Sequence, residues 1–160
     1  MSNNSNTIHS TNDIDIINHI TLHINQYRHL HKVNDLLYDT EISNISQLLS
    51  VKLLKNKKLN ESDYLKDYLK DYTLIKYLSL RCRNNKLQNI KKAINTWYNE
   101  NKLYFIDKQS NNFTGLVWKN STKFGLGYSY VNGKCAVCLL IYEKGNIPNQ
   151  IENNVFDKLE

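Results

Sequence analysis

The chain has 160 residues, 41% hydrophobic and 22% charged, with one Pro and five Gly, which suits one globular domain and excludes disordered or collagen-like classes. The formal net charge of +6 and pI near 9.1 turn the chain toward anionic partners, although solubility alone accounts for so modest a value. No apolar run reaches membrane-span length, MSNNSNTIHSTND lacks the basic and apolar regions of a signal peptide, and Ser2 replaces the Gly that N-myristoylation needs. These features predict a cytoplasmic protein with reduced thiols. Three cysteines fit that expectation, because disulfide frameworks use even numbers, and the Asn-x-Ser/Thr sequons at Asn44, Asn60 and Asn120 are then chance products of an Asn-rich chain.

Residues 1–12 are polar and read as a disordered tail, leaving 13–160 as the domain. Ser10 to Asp13 supplies helix-start chemistry, and Ile17, Ile20, Ile24, Tyr27 and His31 recur at helical spacing, predicting a helix from about Asp13 to His31. Arg28 on it reads as a solvated surface residue, with pairing to a carboxylate elsewhere as the alternative. His19 and His23 sit one turn apart, a spacing that two zinc ligands use, but no Glu completes an HExxH and no Cys is near. After Leu36 a second helix is capped by Thr40, with Ile42, Ile45, Leu48, Leu49 and Leu53 as its apolar face.

Lys55 to Asn60 reads as a basic loop, making Lys55, Lys57 and Lys58 the candidate contacts to an anionic surface. From Ser62 to Tyr72 a four-residue near-repeat of Tyr, Leu, Lys and Asp predicts a helix that packs Tyr68, Tyr72 and the leucines. The alternating acids cancel the field that phosphates need, which argues against nucleic acid as a partner. Asn84-Asn85 interrupts the chain, and a further helix from about Leu87 to Leu103 buries Ile90, Ala93, Ile94 and Trp97. Cys135 and Cys138 form a CxxC in a strand, where residues three apart face opposite sides, so the two thiols cannot share a metal; Cys82 stands alone.

The most informative stretch is Asn112 to Asn146, NFTGLVWKNSTKFGLGYSYVNGKCAVCLLIYEKGN. Lys119 to Thr122 is turn-forming, Gly125 and Gly127 open one extended run, and Asn132-Gly133 separates it from a second, the strongest short hairpin signal. Together with Asn25-x-Tyr27-Arg28-x-x-His31, Gln47, Trp97-Tyr98-x-Glu100 and Tyr104, this stretch resembles the CAP superfamily of cysteine-rich secretory, antigen 5 and pathogenesis-related proteins. The intracellular, Golgi-associated branch looks nearest.

The resemblance implies an α+β fold: a CAP-type α-β-α sandwich with a small antiparallel sheet between helical layers. It also implies a cleft in which two His and two Glu hold a divalent metal. Here the positions read Asn60, Asp71, Glu100 and Asn112, with Asn112 where the HFT motif has His, and Glu143 stands where the family has Pro. That all-oxygen set suits Ca²⁺ or Mg²⁺ better than zinc. No GxSxG element is present. The expectation is a non-enzymatic protein without metal or other cofactor, its cleft degenerate, docking on membrane lipids or a protein partner, with homodimerisation among the states the family implies. A metal-dependent hydrolase and a secreted effector exported unconventionally are the alternatives.

Overall fold

Asn132 and Gly133 take positive φ (49° and 80°) and turn the chain between β3 (Lys123–Val131) and β4 (Lys134–Tyr142), as the Asn-Gly pair predicts. The structure, a computed structural model, describes residues 2–59 and 63–159, apart from the side chains of residues 2–12, 63, 64 and 68. β1 (Leu37–Tyr38) and β2 (Tyr72–Ser79) complete a four-stranded sheet of order β1-β3-β4-β2. The sheet is not wholly antiparallel: β1 runs parallel to β3, with Leu37 opposite Lys123.

α1 (Ser2–Leu30), α4 (Lys86–Asn99), α5 (Asn101–Asp107) and α6 (Asn112–Leu116) serve one side of the sheet, where Ile20, Ile24, Ile90, Ile94, Trp97, Phe113 and Trp118 pack with Ile75, Val137, Leu139 and Ile141. α2 (Thr40–Asn56) and α3 (Asp63–Leu69) serve the other, packing Ile42, Leu49, Leu53 and Leu65 with Ala136, Cys138 and Leu140. A short α7 (Ile151–Asn154) closes the chain. The layering is the expected α-β-α sandwich.

The helix expected from Asp13 reaches back to Ser2, no Gly or Pro interrupting it. Asp39, not Thr40, caps α2: its carboxylate accepts from the Ile42 N–H at 2.9 Å. Leu48 is 58% exposed, and the serines Ser43, Ser46 and Ser50 are buried in its stead. The cause is the close approach of α2 to β3. A Cβ on Gly125 would lie 2.3 Å from the Ile42 carbonyl carbon, and one on Gly127 would lie 2.0 Å from the Ser46 carbonyl oxygen. A helix this near the strand leaves depth only for small side chains.

The near-repeat divides. Its first part is α3, but Tyr72 onward pairs with β4, Tyr72 facing Tyr142 and Ser79 facing Cys135. Burial of Thr73 and Ile75 and a full ladder outweigh the helical period. Tyr72 packs partly buried among the α2-side leucines, whereas the Tyr68 side chain lies outside the described residues. Lys55 stands in the last turn of α2 rather than in a loop, and Lys57 caps it in the left-handed region. The helix expected to Leu103 breaks at Glu100 into α4 and α5.

The thiols also differ from expectation. Cys82 is disulfide-bonded to Cys135. The register puts Ser79 beside Cys135, and the chain then folds back so that the Cys82 N–H donates to the Gly133 carbonyl at 2.6 Å. Cys138 stays free and buried on the opposite face of β4, its thiol pushed up to about 12 by desolvation.

Candidate functional site

Three side chains near the C-terminal end of α1 (Asn25, Tyr27, Arg28) and His31 just beyond it each fasten a different part of the molecule. Asn25 pairs with the backbone of Leu36, donating to its carbonyl (3.1 Å) and accepting from its N–H (2.8 Å). Tyr27 donates to Asn95 Oδ1 on α4 (2.6 Å) and stacks on Tyr98 with ring centroids 3.8 Å apart. Arg28 is fully buried, which corrects its reading as a surface residue. Its Nε donates to the Asn34 carbonyl (2.7 Å), and its guanidinium nitrogens reach the carbonyls of Leu116 (2.9 Å), Trp118 (3.1 Å) and Ser121 (3.4 Å). Desolvation lowers it to about 10, against the opposing pull of Asp35, so it stays charged at neutral pH.

His31 is 1% exposed and lies against the rings of Tyr98, Phe105 and Phe113. Its Nδ1 stands 2.8 Å from the Phe156 carbonyl, which can only accept, so Nδ1 carries the proton and Nε2 accepts from the Tyr98 hydroxyl at 2.9 Å. Burial lowers its pKa, the Phe156 contact opposing. This is a neutral, spoken-for imidazole.

The Glu100 corner lies beyond this network. The break between α4 and α5 presents its carboxylate to α6, where the Asn112 N–H donates to Oε1 (3.1 Å) and the Asn112 side-chain amide donates to Oε2 (2.8 Å). Asn111 fixes the start of α6 with a reciprocal capping box to Thr114, and its amide also donates to the Glu100 carbonyl at 3.0 Å. Thr114 Oγ1 donates to Asn146 Oδ1 at 2.6 Å, and the Asn146 amide returns a bond to the Asn111 carbonyl at 3.1 Å. Gly145 is seated where a Cβ would lie 2.8 Å from the Trp118 ring. The NFT, WYxE and GN motifs therefore meet at one corner.

The sequence matches the model of the "CAP: Cysteine-rich secretory protein family" over residues 22–142, well over half of the chain. The chain belongs to the CAP family.

Solved structures share its fold. "Crystal structure of NaASP2 with Zn2+" superposes with a TM-score of 0.68 at 14% identity, covering 88% of this chain and 84% of that one. "Structure of BmVAL-1" gives 0.60 at 14% identity, with 83% and 77% covered. The Schistosoma mansoni venom allergen-like protein 4 gives 0.57 at 16%, with 79% and 86% covered. No protein with a curated description matches the sequence.

Of the four cleft positions the CAP resemblance implies, Glu100 and Asn112 meet. Asn60 lies outside the described residues. Asp71 is exposed in the turn before β2 and has no interaction with Glu100 or Asn112 among the described residues. Among those residues no three His, Cys, Asp or Glu side chains are grouped to hold a metal ion. His23 donates from Nε2 to Asn95 Oδ1 at 2.8 Å, and burial lowers its pKa. Lys55, Lys57 and Lys58 are all exposed, and no described helix is long and apolar enough to cross a membrane. Arg28 and His31 are the residues whose roles the sequence reading missed. Their partners are mostly backbone carbonyls, which carry no sequence signal.

Proposed function

We propose that this CAP domain works by binding and not by catalysis, with a family cleft that no longer suits zinc. The observation that carries this reading is the Glu100–Asn112 pairing. Oε2 accepts from the side-chain amide that stands where the family has an imidazole, and Oε1 from the Asn112 backbone N–H, so the glutamate is satisfied by hydrogen bonds and not left for a cation. An amide oxygen is a weak zinc donor, and one carboxylate is no zinc site. The Zn²⁺ of the NaASP2 crystal structure belongs to that protein. Isothermal titration tests the reading. Native protein should bind Zn²⁺ no better than Glu100→Ala, and stoichiometric, Glu100-dependent zinc would overturn it. Ester or peptide hydrolysis that Glu100→Ala abolishes would favour the hydrolase.

The partner in this reading is an anionic membrane surface, met peripherally by Lys55, Lys57 and Lys58 at the C-terminal end of α2. Binding to phosphatidylserine vesicles should weaken steeply from low to physiological salt. Changing the three lysines to Ser should weaken it by about 1 kcal/mol per charge near the surface. Salt-independent binding, or none, would point to a protein partner.

A second reading of location has one specific observation in its favour. The cytoplasmic expectation implies reduced thiols, whereas the Cys82–Cys135 bond suits a protein exported to an oxidising compartment. Denatured, unreduced protein should show one titratable thiol on this reading and three on the cytoplasmic one.

A further inference from the structure

A cleft of about 810 Å³ opens between α4 and the segment that joins β2 to it. Among the described residues its lining carries four cations, Arg81 and Arg83 from the segment and Lys91 and Lys92 from α4, and no carboxylate. The ion pairs among the described residues are His29–Asp35, Lys70–Asp67 and Lys86–Asp13, and none involves these four. Like charges are gathered in a concavity without internal compensation, which focuses positive potential there. Lys91 is close enough to His23 to help disfavour its protonated form.

The segment is also held in shape. The Cys82–Cys135 bond lies between the two arginines in sequence, and the Cys82 N–H bonds to Gly133. The Arg83 carbonyl accepts from the Asn89 amide at 2.8 Å and from the Asn85 N–H at 2.8 Å. An anion arriving here would meet cations whose backbone is already ordered, which lowers the entropic cost of binding.

The uncharged lining narrows the ligand. Asn85, Gln88, Thr96 and Asn99 offer amides and a hydroxyl of the kind that bond sugar hydroxyls. Among the described residues Tyr77 is the one aromatic in the lining, which gives successive bases no platform to stack on, and no described aliphatic side chain lines it to receive an acyl chain. We propose that this cleft binds a sulfated polysaccharide, with Arg81, Arg83, Lys91 and Lys92 contacting sulfates and the neighbouring amides contacting sugar hydroxyls. This goes beyond the membrane reading, for α2 and its lysines lie on the other side of the sheet. The choice of a polysaccharide over a phosphorylated headgroup draws on the disulfide, which the thiol count tests separately.

The experiment uses the full chain and fluorescently labelled heparin as the probe, read by anisotropy. The quadruple variant Arg81→Gln, Arg83→Gln, Lys91→Gln, Lys92→Gln should bind at least about 30-fold more weakly and with a flatter salt dependence. Three of these side chains are exposed and Lys91 is half-buried, so an unchanged melting curve checks that the fold persists. Lys55→Gln, Lys57→Gln, Lys58→Gln should stay within about twofold, and desulfated heparin should bind about tenfold more weakly than heparin. Quadruple-variant affinity within twofold of native, equal loss in the α2 triple variant, or equal binding of desulfated heparin would each overturn the proposal. So would tighter binding of single-stranded DNA or of phosphoinositide vesicles through the same four residues. If heparin binding fails while vesicle binding through Lys55, Lys57 and Lys58 persists, the membrane reading stands alone.

Discussion

The two faces of the sheet are held by opposite means. Against α2 the contact is backbone on backbone, made possible by Gly125 and Gly127 and lined by buried serines. Against α1, α4 and α6 it is bulk: Trp97, Trp118, Phe113 and Phe124 are buried in the layer that also buries Arg28 and His31. The first face has no room to spare and the second has no atoms to spare. One should fail on addition and the other on deletion, because interiors pack at crystal-like density and neither face relaxes freely.

The largest effect should come from addition on the glycine face. Gly127→Val would drive its side chain into the Ser46 carbonyl, and the obstruction is helix backbone, which cannot swing aside. The expected loss exceeds about 4 kcal/mol, enough to leave little folded protein by circular dichroism. A variant melting within a few degrees of native would mean that α2 stands off from β3. Deletion on the opposite face comes next. Trp118→Ala should cost roughly 3–5 kcal/mol in a urea titration. A loss under about 1 kcal/mol would put the ring outside the core.

Arg28 sharpens the contrast, since its value lies in its donors. Arg28→Met keeps most of the volume but leaves the carbonyls of Leu116 and Trp118 without this partner in a buried site. The expected cost is about 3 kcal/mol, with Arg28→Lys recovering less than half because an ammonium cannot span the fork. Full recovery by Lys would show that charge alone matters.

His31 adds a pH signature to the same face. Its folded pKa is lowered below 6.5, first by burial, so protonation favours the unfolded chain. The stability it contributes is full above 6.5, falls as pH drops below that value, and levels off beneath the folded pKa. His23, lowered likewise, adds to the slope. The slope between pH 7 and 5 should diminish in His31→Gln, and an unchanged slope would exclude His31 as a source.

The two faces were legible in different places. Asn132-Gly133 announces the tight turn because that conformation needs those residues, whereas Gly125 and Gly127 read only as the opening of a strand, and the close approach of α2 with its buried serines was not legible. Trp97 and Trp118 were legible from their motifs. Arg28 was not, because its partners are main-chain carbonyls. β2 was hidden by a four-residue repeat that reads as helix, and only pairing with β4 makes Tyr72–Ser79 a strand. The Cys82–Cys135 bond depends on that same register, so an odd count and an obvious CxxC pointed away from it. At the candidate site, Glu100 and Asn112 came from motifs within continuous elements. Asp71 came from counting across a region whose path the count could not follow.

The smallest effect tests how the glycine face is sealed. β1 pairs only with Lys123 and Phe124, so among the described residues the rest of that edge of β3 has no strand partner. Side chains of α2 take the place of a strand. Ser43 Oγ accepts from the Leu126 N–H at 3.0 Å, and one turn later Gln47 accepts from the Tyr128 N–H and donates to its carbonyl, both at 2.8 Å. Positions i and i+4 share a helix face, which matches the two-residue step along the strand. Gln47→Ala should cost only about 1 kcal/mol, because Gln47 is exposed and water can replace it. The Tyr128 amide should nevertheless exchange its hydrogen faster. Gln47→Glu separates the two bonds: its carboxylate can still accept from the N–H but meets the Tyr128 carbonyl with a lone pair. At neutral pH it should be no more stable than the Ala variant, and it should recover below the usual carboxylate range, where a protonated oxygen can donate. If Gln47→Glu matches native at neutral pH, the bond to the carbonyl contributes nothing and the N–H alone holds the edge.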